Sequence, residues 1–348
     1  YKKQNMSPKN LNVPNKTHRN LLNKLKNKRI SQIYKKFEKN LKLKENFIVA
    51  VSGGPDSLAL SFLSKIYSIK NSLIAQYFIV DHKLRHNSSI EAKLAKTHLK
   101  KYSMDLNILK WKGTKPKSNI QSIARIQRYK FLINAAKKLK IQNVLTGHHL
   151  DDLYENFFIR ILRGSGLNGL VSFDEKTSYQ DITLLRPLLK LNKKDLIYVA
   201  EKVFSSYIKD PYNDDNKFKR VRIRKLVKTL QVEGLDINKF FLTIKNLKLS
   251  NDVIKFNIAK NLEENSFYFK EKNLVIIKRK FFIQPHEVVL RSLMEIIKIV
   301  GKKYYYVRGK KLDNAIKVLN AQKIRFLKIT LGNCILKKVN NSIVVSKE

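Results

Sequence analysis

Short apolar runs alternate with amphipathic segments over the first two thirds of the chain. Residues 47–51, Phe-Ile-Val-Ala-Val, are rich in β-branched side chains, which is typical of a strand buried on both faces of a parallel sheet. Similar runs occur at 73–80, 106–111 and 141–146, and helical patterns follow at 58–63, 88–101, 119–139 and 151–163. This alternation predicts an α/β domain built on a doubly wound, largely parallel sheet.

The pattern changes near residues 231–236. Lys-rich helical segments continue to about 264, and short strands near 267–278, a helix near 285–300 and strands near 326–346 follow them. We therefore expect a second, smaller domain of mixed α+β structure. The expected organisation is a basic, largely solvated and partly helical N-terminal extension (1–45), an α/β domain (46–232), and a helical linker with a small C-terminal domain (235–348).

Three polar clusters follow predicted strand ends: Ser52–Ser57, Asp81–Arg85 and Gly147–Asp152. In open α/β sheets, ligands bind beyond the carboxyl ends of the strands, where the strand order reverses. Residues that are distant in the sequence are thus predicted to share one crevice.

The charge of the chain is strongly one-sided. It contains 72 Lys+Arg and 27 Asp+Glu, a formal net charge of +45. Such an excess favours a polyanionic partner, with nucleic acid as the first candidate, although compositional bias toward Lys explains part of it.

Cysteine use and hydropathy restrict the class of protein. The one cysteine, Cys334, permits neither an internal disulfide nor a Cys-ligated iron–sulfur cluster within one chain. A reducing, cytoplasmic location is expected. No stretch approaches the ~20 apolar residues of a membrane helix, so no membrane partner is expected.

The first cluster, Ser52-Gly53-Gly54-Pro55-Asp56-Ser57, suits a phosphate. The glycines allow a sharp turn and a close approach to a ligand, and Pro55 suits the first turn of a helix whose free N–H groups attract an anion. Asp56 would repel a phosphate unless a cation lies between them, which indicates Mg²⁺. The Lys-Ser/Thr pair of the Walker motif is missing, and the GxGxxG pattern at 164–169 follows a helix rather than a strand, so neither standard phosphate-binding motif applies.

This loop resembles the SGGxDS loop of the N-type ATP pyrophosphatases (PP-loop enzymes), which cleave ATP between the α and β phosphates and adenylate a substrate. Further stretches resemble the tRNA(Ile)-lysidine synthase family in order and spacing over about residues 45–230. They are Asp81-His82-Lys83-Leu84-Arg85, Ala124-Arg125-Ile126-Gln127-Arg128-Tyr129, Thr146-Gly147-His148-His149-Leu150-Asp151-Asp152 with Glu155, Arg163-Gly164-Ser165-Gly166-Leu167, Leu185-Arg186-Pro187-Leu188-Leu189, and Asp210-Pro211 with Asn213, followed by Arg220, Arg222 and Arg224.

The resemblance implies that residues 46–232 are an ATP pyrophosphatase-type catalytic domain and that the C-terminal domain binds tRNA. The implied reaction ligates free lysine to C2 of the wobble cytidine in the CAU anticodon of tRNA(Ile). It uses ATP and Mg²⁺, passes through an adenylated tRNA and releases AMP and pyrophosphate. Whether the chain forms a homodimer is left open. The alternatives are another PP-loop tRNA-modifying enzyme, such as a thiolase, and an inactive RNA-binding protein.

The resemblance also assigns roles to individual residues. The expected catalytic residues are Asp56, Asp152, Arg125 and Glu155, with Asp56 and Asp152 as metal ligands. The residues expected to bind ATP are Ser52, Gly53, Gly54, Pro55, Asp56, Ser57, Asp81, His82, Gly147, His148 and Arg224. Those expected to bind tRNA are Arg128, Arg163, Arg186, Arg220 and Arg222.

Helical spacing agrees with the roles expected for two sets of these residues, the carboxylates after residue 150 and the arginines after residue 219. Asp152 and Glu155 are i and i+3, so they share a face, although an acidic first turn is also common on solvated helices. Arg220 and Arg224 face one way and Arg222 another, which suits phosphate contacts but is also compatible with a solvated helix.

Overall fold

The structure is a computed structural model that describes residues 16–84, 87–111, 113, 120–179, 181–208, 219–302, 307, 309–320 and 326–348. The chain divides between Leu235 and Asp236 into an N-terminal unit and a C-terminal unit. The Asp81–Arg85 cluster extends to Arg85, which lies outside the described residues, as do Asp210, Pro211 and Asn213.

A six-stranded sheet organises the N-terminal unit. Its strands are β1 (Phe47–Val51), β2 (Ala75–Asp81), β3 (Leu106–Lys110), β4 (Asn143–Leu145), β5 (Lys176–Tyr179) and β6 (Ile182–Leu185). The order is β3-β2-β1-β4-β6-β5, and all neighbours are parallel except β5 and β6. The strand order reverses between β1 and β4, which confirms the predicted α/β class and places a ligand-binding crevice beyond the ends of these strands.

Helices connect these strands and cover both faces. They are α3 (Pro55–Lys70), α4 (Ser88–Lys100), α5 (Ile120–Leu139), α6 (Leu150–Ile161), α7 (Leu167–Leu170), α8 (Lys193–Phe204) and α9 (Lys219–Val232). Alternate residues of β1 serve two cores: Phe47, Val49 and Val51 pack with α3 and α8 on one face, and Ile48 packs with α5 on the other. Burial on both faces explains why the strand reads as an unbroken apolar run.

The described part of the N-terminal extension belongs to the core. Helices α1 (Lys16–Asn23) and α2 (Lys28–Asn40) bury Leu21, Tyr34 and Phe37 against the α3 side of the sheet. The Asn27 side chain accepts a 3.1 Å hydrogen bond from Ile30 N and caps α2. The expectation of a solvated tail is therefore wrong for residues 16–40, because apolar residues at helical spacing lie between the lysines.

The C-terminal unit has an antiparallel sheet of order β7-β8-β11-β10-β9. After the long helix α10 (Ile237–Asn265) come β7 (Ser266–Phe269), β8 (Leu274–Lys278), a 3-10 helix (Arg279–Ile283), α11 (His286–Val300), α12 (Gly309–Asn320), β9 (Phe326–Leu331), β10 (Cys334–Val339) and β11 (Ser342–Lys347). Helices α11 and α12 cover one face of the sheet, where Leu293, Leu312 and Leu336 form the core and Cys334 is buried. This agrees with the predicted mixed α+β class.

Within the part of the chain that the structure describes, no helix combines the length and apolarity needed to cross a membrane.

Candidate active site

The loop after β1 is held in shape by its own hydroxyls. Gly53 has a φ of +83°, and Gly54 precedes α3, which begins with Pro55. The Ser57 hydroxyl donates to Gly54 O (3.0 Å) and accepts from Ser52 N (3.0 Å) and Ser52 Oγ (3.1 Å). Ser57, expected to bind ATP, thus uses its hydroxyl within the loop, and the free N–H groups at the start of α3 remain as anion donors.

Two glycines let other segments approach this loop. A Cβ atom on Gly53 would lie 2.5 Å from Ile208 Cδ1, and Ile208 N donates a 3.1 Å hydrogen bond to Gly53 O. A Cβ atom on Gly147 would lie 3.4 Å from the backbone of Asp56 and Ser57. The end of β4 therefore packs directly against the loop that follows β1.

His149 stands between the two carboxylates expected to bind metal. Its Nδ1 accepts from Asp151 N (3.3 Å), and Asp152 Oδ2 accepts from His149 N (3.0 Å), so the two side chains cap α6 reciprocally. Its Nε2 lies 3.7 Å from Asp56 Oδ1 and 3.6 Å from Asp152 Oδ2. The structure thus brings Asp56 and Asp152 together around one imidazole.

Lys193 is the residue that sequence reasoning missed. Its Nζ lies 2.7 Å and 2.6 Å from the two carboxylate oxygens of Asp56, 137 residues away in the sequence. Asn192 caps α8 by accepting from Asp195 N (2.8 Å), and this places Lys193 at the start of the helix. The Asn-Lys-Lys-Asp pattern indicates a helix start, but nothing in it separates Lys193 from an ordinary surface lysine.

The buried Glu155 forms an ion pair with the partly exposed Arg224. Glu155 is 3% exposed, and its Oε1 accepts a hydrogen bond from Arg224 Nε. Burial raises the pKa of the Glu155 carboxyl, and the Arg224 guanidinium opposes that rise. Arg220 and Arg224 both line the crevice, whereas Arg222 is exposed and does not, so the predicted division of faces is confirmed.

Burial and neighbouring charges also set the states of Asp152 and His148. Burial alone would raise the pKa of Asp152, but His149 and Arg220 hold it below its usual value. Burial, with Arg125 nearby, lowers the pKa of His148 to about 3. His148 Nδ1 lies 2.9 Å from Thr146 Oγ1, and its ring meets Phe173 edge-on. His148 is therefore a neutral hydrogen-bonding group near neutral pH.

The Asp81 carboxylate holds the backbone of its own loop. It accepts from Ser88 Oγ (2.8 Å), Ser89 Oγ (2.6 Å) and Lys83 N (3.0 Å). Burial and the Arg128 guanidinium lower the pKa of the adjacent His82 to about 4. This neutral imidazole lies 3.5 Å from the Nε of Arg128.

These elements enclose a cleft of about 1330 Å³ in the N-terminal unit. The expected site residues that line it are Ser52, Gly54, Pro55, Asp56, Ser57, Asp81, His82, Arg125, Arg128, Gly147, His148, Asp152, Glu155, Arg220 and Arg224. Four expected residues do not line the cleft: Gly53 is buried within the loop, Arg163 and Arg222 are exposed elsewhere, and Arg186 is buried.

The position of Arg186 corrects one expectation. Its guanidinium donates to Asp174 O (2.6 Å) and Thr177 Oγ1 (2.8 Å) and lies over the Phe173 ring, 4.7 Å from the centroid. Only 5% of the residue is exposed. A direct tRNA contact is therefore the wrong role for Arg186, which fixes the β5–β6 hairpin and the Phe173 wall of the cleft.

The described residues contain no group of three or more His, Cys, Asp or Glu side chains arranged to hold a metal ion. Two carboxylates nevertheless fit Mg²⁺, which commonly binds one or two carboxylates together with substrate phosphates. Asp56 and Asp152 both line the cleft and both approach His149. They are the residues that would hold the ion.

Comparisons with known proteins match this chain to one domain family and to curated relatives. The PP-loop domain family matches residues 22–230. The tRNA(Ile)-lysidine synthase of Wolbachia sp. subsp. Brugia malayi is 30% identical over 310 residues, covering 86% of this chain and 70% of the relative. That of Orientia tsutsugamushi is 31% identical over 325 residues (90% and 71%), and that of Rhodopseudomonas palustris is 38% identical over 191 residues (54% and 55%).

Among solved structures, the U34-tRNA thiolase NcsA from Methanococcus maripaludis, a protein with a 4Fe-4S cluster, aligns with a TM-score of 0.54 at 18% identity. The alignment covers 63% of this chain and 78% of the thiolase, and it supports the fold alone. The matched domain and the relatives aligned over most of their length show that the chain belongs to the tRNA(Ile)-lysidine synthase family of PP-loop, ATP-using enzymes.

Proposed function

We propose that this enzyme joins the ε-amine of lysine to C2 of the wobble cytidine in the CAU anticodon of tRNA(Ile), with ATP as the activating substrate. One observation carries the proposal. The loop after β1, the Asp152–Glu155 face of α6 and the arginines of α9 meet in a single cleft of the N-terminal unit. The relatives matched over 86–90% of the chain bear the name of this activity.

The chemistry requires two steps because the C2 oxygen of cytosine is a poor leaving group. In the first step this oxygen attacks the α-phosphate of ATP, a new P–O bond forms, and the bond to the departing pyrophosphate breaks. In the second step the lysine nitrogen attacks C2, and the C2–O bond breaks with release of AMP. The first step concentrates negative charge on phosphate, and the second needs an amine that has lost its proton.

The cleft supplies positive groups for the first step. The N–H groups at the start of α3 would bind the pyrophosphate end of ATP, and Arg220 and Arg224 line the same cleft. Mg²⁺ bound by Asp56 and Asp152 would neutralise phosphate charge. Because Lys193 contacts both oxygens of Asp56, it competes with a cation for that carboxylate and is positioned to contact phosphate when released from it.

The carboxylates of α6 serve the second step. The side chain of Asp152 is 22% exposed to the cleft, whereas Glu155 is 3% exposed and engaged by Arg224. In this proposal Asp152 is the carboxylate that binds the lysine ammonium, and Glu155 and Arg224 fix the neighbouring wall. A free lysine amine has a pKa of about 10.4, so the bound ammonium must lose a proton before its nitrogen attacks C2.

The test is a reconstituted reaction of the full chain with an unmodified tRNA(Ile) transcript, ATP, Mg²⁺ and lysine. We expect pyrophosphate release, AMP formation that depends on lysine, and a wobble nucleoside whose mass includes lysine. Asp152→Asn should lower lysine-dependent AMP formation by at least ~100-fold. Asp252→Asn, on the exposed face of α10, is the matched control and should retain activity. An Asp152→Asn enzyme with normal turnover would contradict the assignment.

Sulfur transfer is the competing reaction in the same superfamily. The cleft contains no thiol among its described lining residues, and the single cysteine, Cys334, is buried in the core of the C-terminal unit. The nucleoside mass separates the two products directly. RNA binding should also weaken steeply with salt, because phosphate contacts from a chain of charge +45 release counterions.

A further inference from the structure

A second cavity lies in the C-terminal unit, where β8, β10 and β11 meet the end of α12. Its volume is about 400 Å³, within the range of small-ligand sites. Its apolar lining comprises Ile277 and Ile343 of the sheet, Leu319 of α12 and Phe282 of the 3-10 helix. The first three are core residues, whereas Phe282 is half-buried and leaves ring surface at the cavity.

A lysine stands on the core face of the sheet at this cavity. Ile277 pairs with Ile343, and Ile343 pairs with Lys338, so the three side chains form one row across β8, β11 and β10. Residues directly opposite each other on neighbouring strands share a face. Lys338 therefore points to the face that α11 and α12 cover, and it is half-buried beside two core isoleucines. Its neighbour Lys337 points to the other face and is exposed.

The polar lining is cationic and rich in amides. It consists of Arg279, Asn320, Lys338, Asn340, Asn341 and Ser342, and no carboxylate occurs among the described lining residues. Asn340 has a φ of +53° and serves the two-residue turn between β10 and β11. Asn341 is the second residue of that turn, and Asn320 is the last residue of α12. A lining of this kind suits a ligand that combines an anion, a planar apolar body and an edge that amides can read.

We propose that this cavity takes one unpaired nucleotide of RNA, with the base beside Phe282 and Asn341 and a phosphate at Arg279 and Lys338. Proteins recognise single-stranded RNA by stacking splayed bases on aromatic rings and hydrogen-bonding their edges, whereas contacts to duplex phosphates need no cavity. This inference rests on the proposed function in one respect: the substrate is an RNA. It adds a contact site outside the catalytic unit.

The test compares two pairs of substitutions with identical charge change in the full chain. The first pair, Arg279→Met with Lys338→Met, removes the cavity cations, and the second, Lys280→Met with Lys337→Met, removes exposed neighbours that do not line the cavity. The probe is a fluorescein-labelled RNA decamer, single-stranded or paired to its complement, followed by fluorescence anisotropy. We expect the first pair to weaken single-strand binding about tenfold and the second less than about threefold. Equal losses from both pairs would overturn the proposal.

A neutral substitution makes the test independent of charge, and a crosslink formed by the unsubstituted chain makes it independent of any effect of substitution on folding. Asn341→Ala should weaken single-strand binding and leave duplex binding unchanged. A decamer that contains 4-thiouridine should crosslink, on irradiation, to the peptide that carries Phe282 or to residues 338–343. Crosslinks confined to the N-terminal unit would refute the assignment.

Free AMP is the second probe, because a free nucleotide has the same chemistry as an unpaired RNA nucleotide. AMP binding that the Arg279→Met and Lys338→Met pair abolishes, with unchanged RNA affinity, would assign the cavity to a free nucleotide and overturn the RNA proposal. Lack of lysine-dependent AMP formation by the wild type would count against the proposed function alone. The decamer measurements would still decide the cavity.

Discussion

Substituting Arg224 by methionine isolates the buried carboxylate of Glu155. The change keeps most of the side-chain volume but leaves a carboxylate that is 3% exposed without its cation. Breaking a buried ion pair from one side costs ~3–5 kcal/mol. The Arg224 side chain is 36% exposed, so solvent screens part of the interaction and we expect a loss of about 2–3 kcal/mol in the free energy of unfolding near pH 8.

The loss should shrink in acid. Burial already raises the pKa of Glu155, and removal of Arg224 raises it further. A carboxyl whose pKa is higher in the folded than in the unfolded state binds more protons when folded, so stability is retained below the unfolded pKa and lost as pH rises through the folded pKa. At acid pH, once the carboxyl is protonated, the remaining cost of removing Arg224 is one lost hydrogen bond, about 1 kcal/mol.

Urea unfolding followed by tryptophan fluorescence measures this in the N-terminal unit, because the single tryptophan, Trp111, follows β3 there. Lys225→Met, at an exposed position of the same helix, is the control and should cost less than about 0.5 kcal/mol. Adding Glu155→Gln to Arg224→Met should recover stability near pH 8. A loss that is equal at both pH values, or a double substitution that is merely additive, would refute the reasoning.

Three further outcomes are expected. Lys193→Met should lower kcat/KM for AMP formation by ~100-fold or more, whereas Lys190→Met, which removes an exposed ion pair, should not. Equal kcat/KM values for the two variants would exclude a role of Lys193 at phosphate. Gly53→Ala places a side chain at a φ of +83°, with its Cβ atom 2.5 Å from Ile208 Cδ1, and should lower the stability in thermal unfolding by about 1–3 kcal/mol. Gly166→Ala, which has open space around the added Cβ atom, should change the stability little. Because the pKa of His148 is lowered to about 3 in the folded state, its contribution to stability is present above pH ~6.5 and is lost as the pH falls toward 3. Between about pH 7 and pH 4, His148→Gln should therefore lose less stability than the wild type in urea unfolding. Parallel stability curves would contradict this.

The parts of the fold that could be predicted are those in which hydrophobic and polar residues follow a clear local pattern. The β-branched run at 47–51 defines a two-faced buried strand, and Arg220 and Arg224 share a face because of the helical period alone. The extension is helical as expected in part, but its burial at residues 16–40 is not predicted, because lysines dominate a composition in which apolar residues recur at helical spacing. The β5–β6 hairpin is short and partly polar, and its pattern is too brief to separate from a loop.

The features of the site that could not be predicted are contacts between residues that lie far apart in the sequence. Lys193 meets Asp56 only because α8 packs on α3, and no spacing rule links residues so far apart in the sequence. Arg186 follows the last parallel strand, and the sequence around it does not show that Phe173 and the β5–β6 hairpin enclose it. An interior and a surface guanidinium look the same until their neighbours are known.

The reciprocal cap at the start of α6 has a consequence for proton position. Because Nδ1 of His149 accepts the Asp151 amide, a neutral ring must carry its hydrogen on Nε2, the nitrogen that faces Asp56 and Asp152. The backbone thereby selects the tautomer. In that form Nε2 has no lone pair to offer a cation, so the two carboxylates, 3.7 Å and 3.6 Å away, are the ligands that remain on this side of the ring. One helical turn thus sets both where the helix begins and which side chains stay available as ligands.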